Sequence, residues 1–227
     1  MERYYFGPTT GHQARSGETV RAGIHGPAAS TVNLPNQLTL GRLVLTVVFL
    51  GVVFLPFPGH ETVALVLFSI AGITDYLDGR IARERNLITR FGTLMDPLAD
   101  KILTCSAFIA FVGQGLVPAW IAVIIVAREL AITGLRLLAA SNQVVLAAER
   151  YGKHKTISQI VTIILLLTWL AAPGWGRFGD ALLGISISGK PVLQMITVIS
   201  QYITVLFTLY SGAVYLWRNR ALYMRDL

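Results

Sequence analysis

Residues 75–100 read DYLDGRIARERNLITRFGTLMDPLAD, a stretch that places four aspartates between two apolar segments. Asp75 and Asp78 are three residues apart, and Asp96 and Asp100 are four residues apart. At these spacings the members of each pair share one face of a helix. Because the loop between the two helices is short, we expect the two pairs to face each other at one depth.

The segments on both sides of this stretch are apolar, as is most of the chain. Of its 227 residues, 54% are hydrophobic and only 14% are charged, and the mean hydropathy is +0.61. An average soluble domain carries about 25% charged residues. The composition therefore favours an all-α integral membrane protein over a soluble helical bundle. The single cysteine, Cys105, excludes an internal disulfide framework.

Six segments have the length and composition of transmembrane helices, which need about 20 apolar residues each. They are residues 37–57, 61–80, 96–115, 118–140, 156–172 and 192–217. The second helix is predicted to continue beyond the membrane as far as Arg85. Tight turns are predicted at Pro58-Gly59 and between Gly115 and Pro118, because glycine and proline interrupt helices.

The positions of the lysines and arginines predict the orientation. Of the nineteen, thirteen lie outside the predicted spans or at their ends, on the side of the membrane that both termini share, and two lie on the opposite side. The other four lie within the predicted spans. The thirteen are Arg3, Arg15, Arg21, Arg80, Arg83, Arg85, Arg90, Arg150, Lys153, Lys155, Arg218, Arg220 and Arg225, and the two are Arg177 and Lys190. Cytoplasmic loops are enriched in basic residues, so both termini are predicted to be cytoplasmic.

The remaining charge and the N-terminal segment fit the same interpretation. The net charge of +7 is typical of basic cytoplasmic loops that meet anionic lipid headgroups, and we expect no nucleic-acid partner. Residues 1–30 lack the apolar core of a signal peptide. They are expected to form a disordered cytoplasmic extension.

Four carboxylates at the edge of a membrane need compensating partners. A charge at the centre of a membrane helix costs about 2.5 kcal/mol or more. Hard divalent cations with oxygen ligands, Mg²⁺ or Mn²⁺, suit such a cluster, and two ions could share it. The sequence has no Cys/His set with zinc spacing.

The alternative to a metal site is that the four aspartates form a solvated belt of ion pairs with Arg80, Arg83, Arg90 and Lys101. The spacing of the four aspartates and the small neighbours Gly79 and Ala82 disfavour that alternative.

Eight positions in residues 75–100 match the signature D-x2-D-G-x2-A-R-x8-G-x3-D-x3-D, in which Gly92 is the second glycine. In this signature the chain resembles the CDP-alcohol phosphotransferase family. The resemblance implies a membrane domain over residues 31–227 with six transmembrane helices and a site at the cytoplasmic edge. It also implies a bacterial inner-membrane location and a homodimer. Gly92 is expected to precede the third helix, where it would suit a sharp turn.

The resemblance assigns a role to most of the signature residues. Asp75, Asp78 and Asp96 would bind two divalent ions, and Asp100 would be both a metal ligand and the general base. The residues expected to contact the CDP moiety are Asp75, Gly79, Ala82, Arg83 and Thr39.

Other segments resemble the phosphatidylglycerophosphate synthases within this family. These segments are residues 33–42 (NLPNQLTLGR), 127–129 (ARE), 133–136 (TGLR) and 152–156 (GKHKT). The implied reaction is transfer of the phosphatidyl group from CDP-diacylglycerol to glycerol 3-phosphate, with release of CMP. The residues expected to bind the acceptor phosphate are Arg128, Arg136, Lys153, Lys155 and Arg42. His154 is expected to be an exposed loop residue rather than a base.

Three alternatives remain open from the sequence. A cardiolipin synthase would use phosphatidylglycerol as acceptor, and the pair Arg128 and Arg136 disfavours that headgroup. An inositol-phosphate acceptor would also suit a basic pocket. A divalent-ion transporter is a different class of protein, and the position of all four aspartates at one membrane edge disfavours it.

Overall fold

The computed structural model describes residues 34–85, 90–141 and 151–220, with side chains described within 40–74, 101–140 and 153–220. The predicted extension over residues 1–30 lies outside the described residues. Within the described part, as predicted, the fold is largely helical. Its elements are α1 (Leu34–Phe54), α2 (His60–Arg85), α3 (Arg90–Gly113), α4 (Ala119–Ser141), α5 (Tyr151–Ala171), a 3₁₀ turn (Ala172–Trp175), α6 (Arg177–Gly184), β1 (Ser186–Ile187), β2 (Lys190–Pro191) and α7 (Val192–Arg218).

Each of the six segments predicted as a membrane helix coincides with a long helix, and α2 ends at Arg85 as predicted. Two details of the prediction are wrong. Helix α3 begins at Arg90, so Gly92 lies in its first turn rather than before it. Helix α5 begins at Tyr151, so His154 is exposed, as expected, but is helical rather than part of a loop. Helix α6 and the antiparallel strand pair β1–β2 were not predicted.

Two stretches of the described chain are long and apolar enough to cross a membrane, Lys153–Trp175 and Val192–Arg218. Shorter apolar helical stretches occupy Leu40–Phe54, His60–Thr74 and Lys101–Gly113. Large apolar side chains lie on the outside of the bundle: Val47 is 69% exposed, Val123 64% and Leu206 65%. Apolar surface this extensive is unfavourable in water and favourable in lipid, which supports the predicted membrane location. The number of spans and the side that holds the termini remain predictions.

The buried core consists mainly of aromatic and aliphatic side chains from α1, α2, α3, α4 and α5. Phe49 of α1 and Phe68 of α2 are both buried, with ring centroids 5.8 Å apart. Phe108 and Phe111 of α3 are fully buried in the same core. Helix α1 packs on α2 and α3, α5 packs on α2 and α7, and α4 packs on α3 and α7.

Three connections between helices lie at the same end of the bundle. Gln114, in the turn after α3, donates a hydrogen bond to the Val53 carbonyl oxygen near the end of α1 at 3.4 Å. Trp175, after α5, donates through Nε1 to the Thr62 hydroxyl at the start of α2 at 2.9 Å. The turns after α1 and α3 contain Gly59 and Gly115, with φ of +77° and +71°, a backbone conformation that favours glycine.

Helices α5 and α7 also meet through buried polar side chains. The Thr162 and Thr204 hydroxyl oxygens are 2.9 Å apart, and both residues are fully buried. The Thr162 hydroxyl also donates to the Ser200 carbonyl oxygen at 3.1 Å. Hydroxyl contacts of this kind add modest stability between membrane helices.

Candidate active site

The aspartate segment, residues 75–100, spans the end of α2 and the beginning of α3. Asp75 and Asp78 lie on the helical backbone of α2, and Asp96 and Asp100 lie on that of α3, so each pair shares a helix face as predicted. The side chains of this segment lie outside the described part of the chain. The roles expected of the four aspartates, and of Gly79, Ala82 and Arg83, therefore remain predictions.

The donor set of the aspartate segment fits a hard divalent cation. Four carboxylates on two helices supply the oxygen ligands that Mg²⁺ and Mn²⁺ prefer. Among the side chains that the structure describes, no group of three or more His, Cys, Asp or Glu residues could hold a metal ion. The aspartate segment is therefore the candidate for a metal centre.

A cavity of about 70 Å³ lies between the helices beside the aspartate segment. Gly72 lies three residues before Asp75 on α2, and Lys101 directly follows Asp100 on α3. The described residues that line the cavity are Arg42, Phe68, Ala71, Gly72, Lys101, Leu103, Thr104, Glu129, Lys155, Thr156, Gln159 and Ile160. They include three cationic side chains and one carboxylate, so the described lining carries an excess of positive charge.

The carboxylate of Glu129 is the centre of a group that we call the Glu129 cluster: Lys101, Glu129, Lys155 and Gln159. Its Oε2 is 2.7 Å from the Lys101 ammonium, and its Oε1 accepts a hydrogen bond from the Lys155 ammonium. Gln159 donates through Nε2 to the same Oε1 at 3.5 Å. The side chains of Glu129 and Lys155 are each 3% exposed, whereas that of Lys101 is 24% exposed. One buried carboxylate on α4 therefore connects ammonium groups of α3 and α5.

Arg128 and Arg136, predicted to bind the acceptor phosphate, contact helix α7. Arg128 donates through Nη2 to the Ser211 hydroxyl at 3.2 Å, and its Nη1 is 3.5 Å from Oε1 of Glu129. Arg136 donates through Nε to the Tyr215 hydroxyl at 3.3 Å, and its guanidinium lies 5.6 Å from the centre of that ring. These contacts orient both arginines on α4.

Gly212 makes room for the Arg128 side chain on α7. A Cβ atom added at Gly212 would lie 3.0 Å from Cγ of Arg128, closer than ordinary van der Waals contact. Gly212 is buried. The small residue therefore allows the aliphatic part of Arg128 to lie against the α7 backbone.

The structure brings together some of the expected acceptor residues and separates others. Arg42 and Lys155 both line the cavity. Lys153 is exposed on α5, two residues from the buried Lys155. Thr39 belongs to α1, but its side chain lies outside the described residues.

The sequence reasoning missed the role of Glu129 and of Lys101 in the cavity. Glu129 is part of the ARE segment but was given no role, and Lys101 was named only in the disfavoured alternative, as an ion-pair partner of the aspartates. One available signal was that both are charged residues within predicted membrane helices, where charges are costly and usually paired. That signal does not identify the partners.

Comparisons with known proteins agree with the signature. The sequence matches the family CDP-alcohol phosphatidyltransferase over residues 32–210. It is 43% identical over 147 residues to the CDP-diacylglycerol--glycerol-3-phosphate 3-phosphatidyltransferase of Bacillus subtilis (strain 168), covering 60% of this chain and 76% of the relative. It is 43% identical over 149 residues to a probable phosphatidylglycerophosphate synthase of Mycobacterium tuberculosis (strain ATCC 25618 / H37Rv). That match covers 64% of this chain and 70% of the relative. It is 32% identical over 173 residues to the CDP-diacylglycerol--glycerol-3-phosphate 3-phosphatidyltransferase of Rickettsia typhi (strain ATCC VR-144 / Wilmington). That match covers 75% of this chain and 93% of the relative. The chain belongs to the CDP-alcohol phosphatidyltransferase family.

Proposed function

We propose that this protein transfers the phosphatidyl group of CDP-diacylglycerol to glycerol 3-phosphate, giving phosphatidylglycerophosphate and CMP. The observation that carries the proposal is the family match over residues 32–210, together with relatives named for this reaction at 32–43% identity. The cationic cavity beside the aspartate segment supports an acceptor that bears a phosphate. We place the enzyme in a bacterial inner membrane, with its site facing the cytoplasm.

The aspartate segment would carry the chemistry on the donor. Asp75, Asp78, Asp96 and Asp100 would hold two divalent ions, Mg²⁺ or Mn²⁺. Ions bound there would neutralise the negative charge of the diphosphate. The small residues Gly79 and Ala82, with Asp75, Arg83 and Thr39, would accommodate the CDP moiety.

The acceptor hydroxyl would lose its proton to the Asp100 carboxylate. Its oxygen would form a bond to the phosphorus on the lipid side of the diphosphate, and the bond from that phosphorus to the CMP oxygen would break. A general base must lie within hydrogen-bond reach of the proton that it removes. Arg42 and Lys155 would bind the acceptor phosphate from the cavity, and Arg128, Arg136 and Lys153 would add positive charge around it.

The other candidate functions fit the described residues less well. Phosphatidylglycerol, the acceptor of a cardiolipin synthase, presents a neutral glycerol end to a cavity with three cationic side chains. An inositol-phosphate acceptor carries a phosphate and remains the nearest competitor. A divalent-ion transporter does not explain the match to a family of transferases.

The test is CMP release by the purified protein with CDP-diacylglycerol and Mg²⁺. Glycerol 3-phosphate, inositol phosphate, serine and phosphatidylglycerol would be offered separately. We expect release with glycerol 3-phosphate, loss of release with EDTA, and a decrease of about a hundredfold or more in Asp100→Asn. Asp180→Asn, a matched change on α6, controls for the loss of a carboxylate. Release with another acceptor alone would overturn the assigned substrate.

A further inference from the structure

The Glu129 cluster contains more positive than negative charge. Two ammonium groups, on Lys101 and Lys155, share one carboxylate. Arg42 lines the same cavity and adds a third cationic group. Clefts lined mainly by one sign of charge attract ligands of the opposite sign, so the three cationic groups and one carboxylate of the described lining favour an anionic ligand.

Glu129 holds both ammonium groups in place at the cavity wall. A lysine side chain has four rotatable bonds and loses conformational entropy when it is fixed by a ligand. An ion pair in the free protein reduces that loss on binding, because the ammonium is already positioned. Gln159 donates to Oε1 of the carboxylate, and therefore helps to fix Glu129 itself.

The cluster also connects the cavity to the helix that carries Asp100. Lys101 follows Asp100 directly on α3, and Lys155 lies on α5. Glu129, on α4, contacts both lysines. A phosphate bound by these lysines would therefore be held at a defined place relative to the backbone of the proposed general base.

We infer that Glu129 is a positioning residue that holds the Lys101 and Lys155 ammonium groups at the cavity wall to bind the phosphate of the acceptor. This inference rests on the proposed function, since it concerns the acceptor of that same reaction. It adds Lys101 to the residues that contact the acceptor phosphate. Glu129 acts through the two lysines and does not touch the reacting atoms.

The test compares Glu129→Gln and Glu129→Asp with the wild-type protein by steady-state kinetics. Glutamine keeps the shape of the side chain but removes the charge that fixes the lysines. We expect the KM for glycerol 3-phosphate to rise about tenfold, with the KM for CDP-diacylglycerol changed by less than about twofold and kcat changed by less than about threefold. The control is Thr204→Val, which also removes a buried polar group. We expect it to leave both KM values unchanged.

The aspartate variant keeps the test informative if Glu129→Gln does not fold. Aspartate retains the charge but is shorter by one methylene group, so it cannot reach both ammonium groups at once. Its expected effect is a smaller rise in the KM for glycerol 3-phosphate alone. A merely structural role would change both KM values together or lower the fraction of active enzyme, and either result would overturn the inference.

The outcomes distinguish this inference from the proposed function. If the wild-type protein releases no CMP with glycerol 3-phosphate, the proposed function fails and the inference fails with it. If the wild-type protein is active but Glu129→Gln and Glu129→Asp leave the KM for glycerol 3-phosphate unchanged, only the inference is wrong.

Discussion

The aspartate segment and the Glu129 cluster adjoin each other at Asp100 and Lys101, but they are distributed differently along the sequence. The four aspartates lie within 26 consecutive residues, on two helices joined by a short connection. The cluster draws Lys101, Glu129 and Lys155 from three helices, and Lys155 lies 26 positions after Glu129 in the sequence. Spacing along one or two helices is visible in a sequence, whereas contacts across three helices depend on how they pack. The aspartate segment therefore identifies the family. The Glu129 cluster, we propose, positions the lysines that bind the acceptor phosphate.

The largest expected effect is the loss of one aspartate from the aspartate segment. Asp78→Asn removes the charge of a proposed metal ligand, and we expect CMP release to fall by about a thousandfold or more. The measurement is CMP release at saturating Mg²⁺ and both substrates. If activity stayed within about tenfold of the wild type, while Asp180→Asn behaved in the same way, the proposed metal site would be wrong.

A smaller, graded effect is expected in the Glu129 cluster. Lys155→Met removes one proposed phosphate contact while Lys101 still neutralises Glu129. We expect kcat/KM for glycerol 3-phosphate to fall about thirtyfold, which corresponds to about 2 kcal/mol. Lys190→Met, at an exposed position on β2, is the matched control. An equal fall in kcat/KM for CDP-diacylglycerol would show that the cavity does not discriminate between the two substrates.

A third variant tests the support that α7 gives to Arg128. Gly212→Ala introduces a Cβ 3.0 Å from Cγ of Arg128, so the arginine must move. We expect stability to fall by about 1 kcal/mol and kcat/KM for glycerol 3-phosphate to fall severalfold, in the range usual for overpacking. Thermal unfolding in detergent and steady-state kinetics would measure the two effects.

The control for Gly212→Ala is Gly51→Ala on α1, where nothing lies within 4 Å of an added Cβ. Alanine is the better helix former, so this variant is expected to keep or slightly increase stability. If both variants behaved alike, the contact between Gly212 and Arg128 would have no role in positioning the arginine.

The smallest effect is expected outside both regions. Thr204→Val removes the hydroxyl contact between α5 and α7, while Thr162 can still donate to the Ser200 carbonyl oxygen. We expect a loss of about 0.6 kcal/mol in stability with no change in kinetics. A large fall in activity would mean that packing of α5 on α7 controls the site more strongly than the aspartate segment and the Glu129 cluster do.

The sequence predicts the helices of this fold well because long apolar runs and their Gly and Pro interruptions are local features. The prediction located α2 up to Arg85 but placed the starts of α3 and α5 too late, since polar residues such as Lys153 continue a helix beyond its apolar part. Helix α6 has only eight residues and no apolar run of membrane length, so nothing in its pattern identified it.

The candidate site was predictable to a different extent in its two regions. The aspartate pairs follow from helical periodicity, but the positions of their side chains remain predictions. The division of the basic residues between the cavity and α7 could not be predicted. Arg128, Arg136 and Lys155 have the same sign of charge in the sequence. Only packing directs Arg128 to Ser211 and Glu129, Arg136 to Tyr215, and Lys155 to Glu129.

The most direct test measures whether labelled glycerol 3-phosphate becomes part of the lipid product. Purified protein would be incubated with CDP-diacylglycerol, Mg²⁺ and radiolabelled glycerol 3-phosphate, and both CMP and lipid-extractable label would be measured. We predict that label enters the lipid in equal amount to the CMP released, and that Asp100→Asn loses both. CMP release without label in the lipid, or no release from well-folded protein, would contradict phosphatidyl transfer to glycerol 3-phosphate.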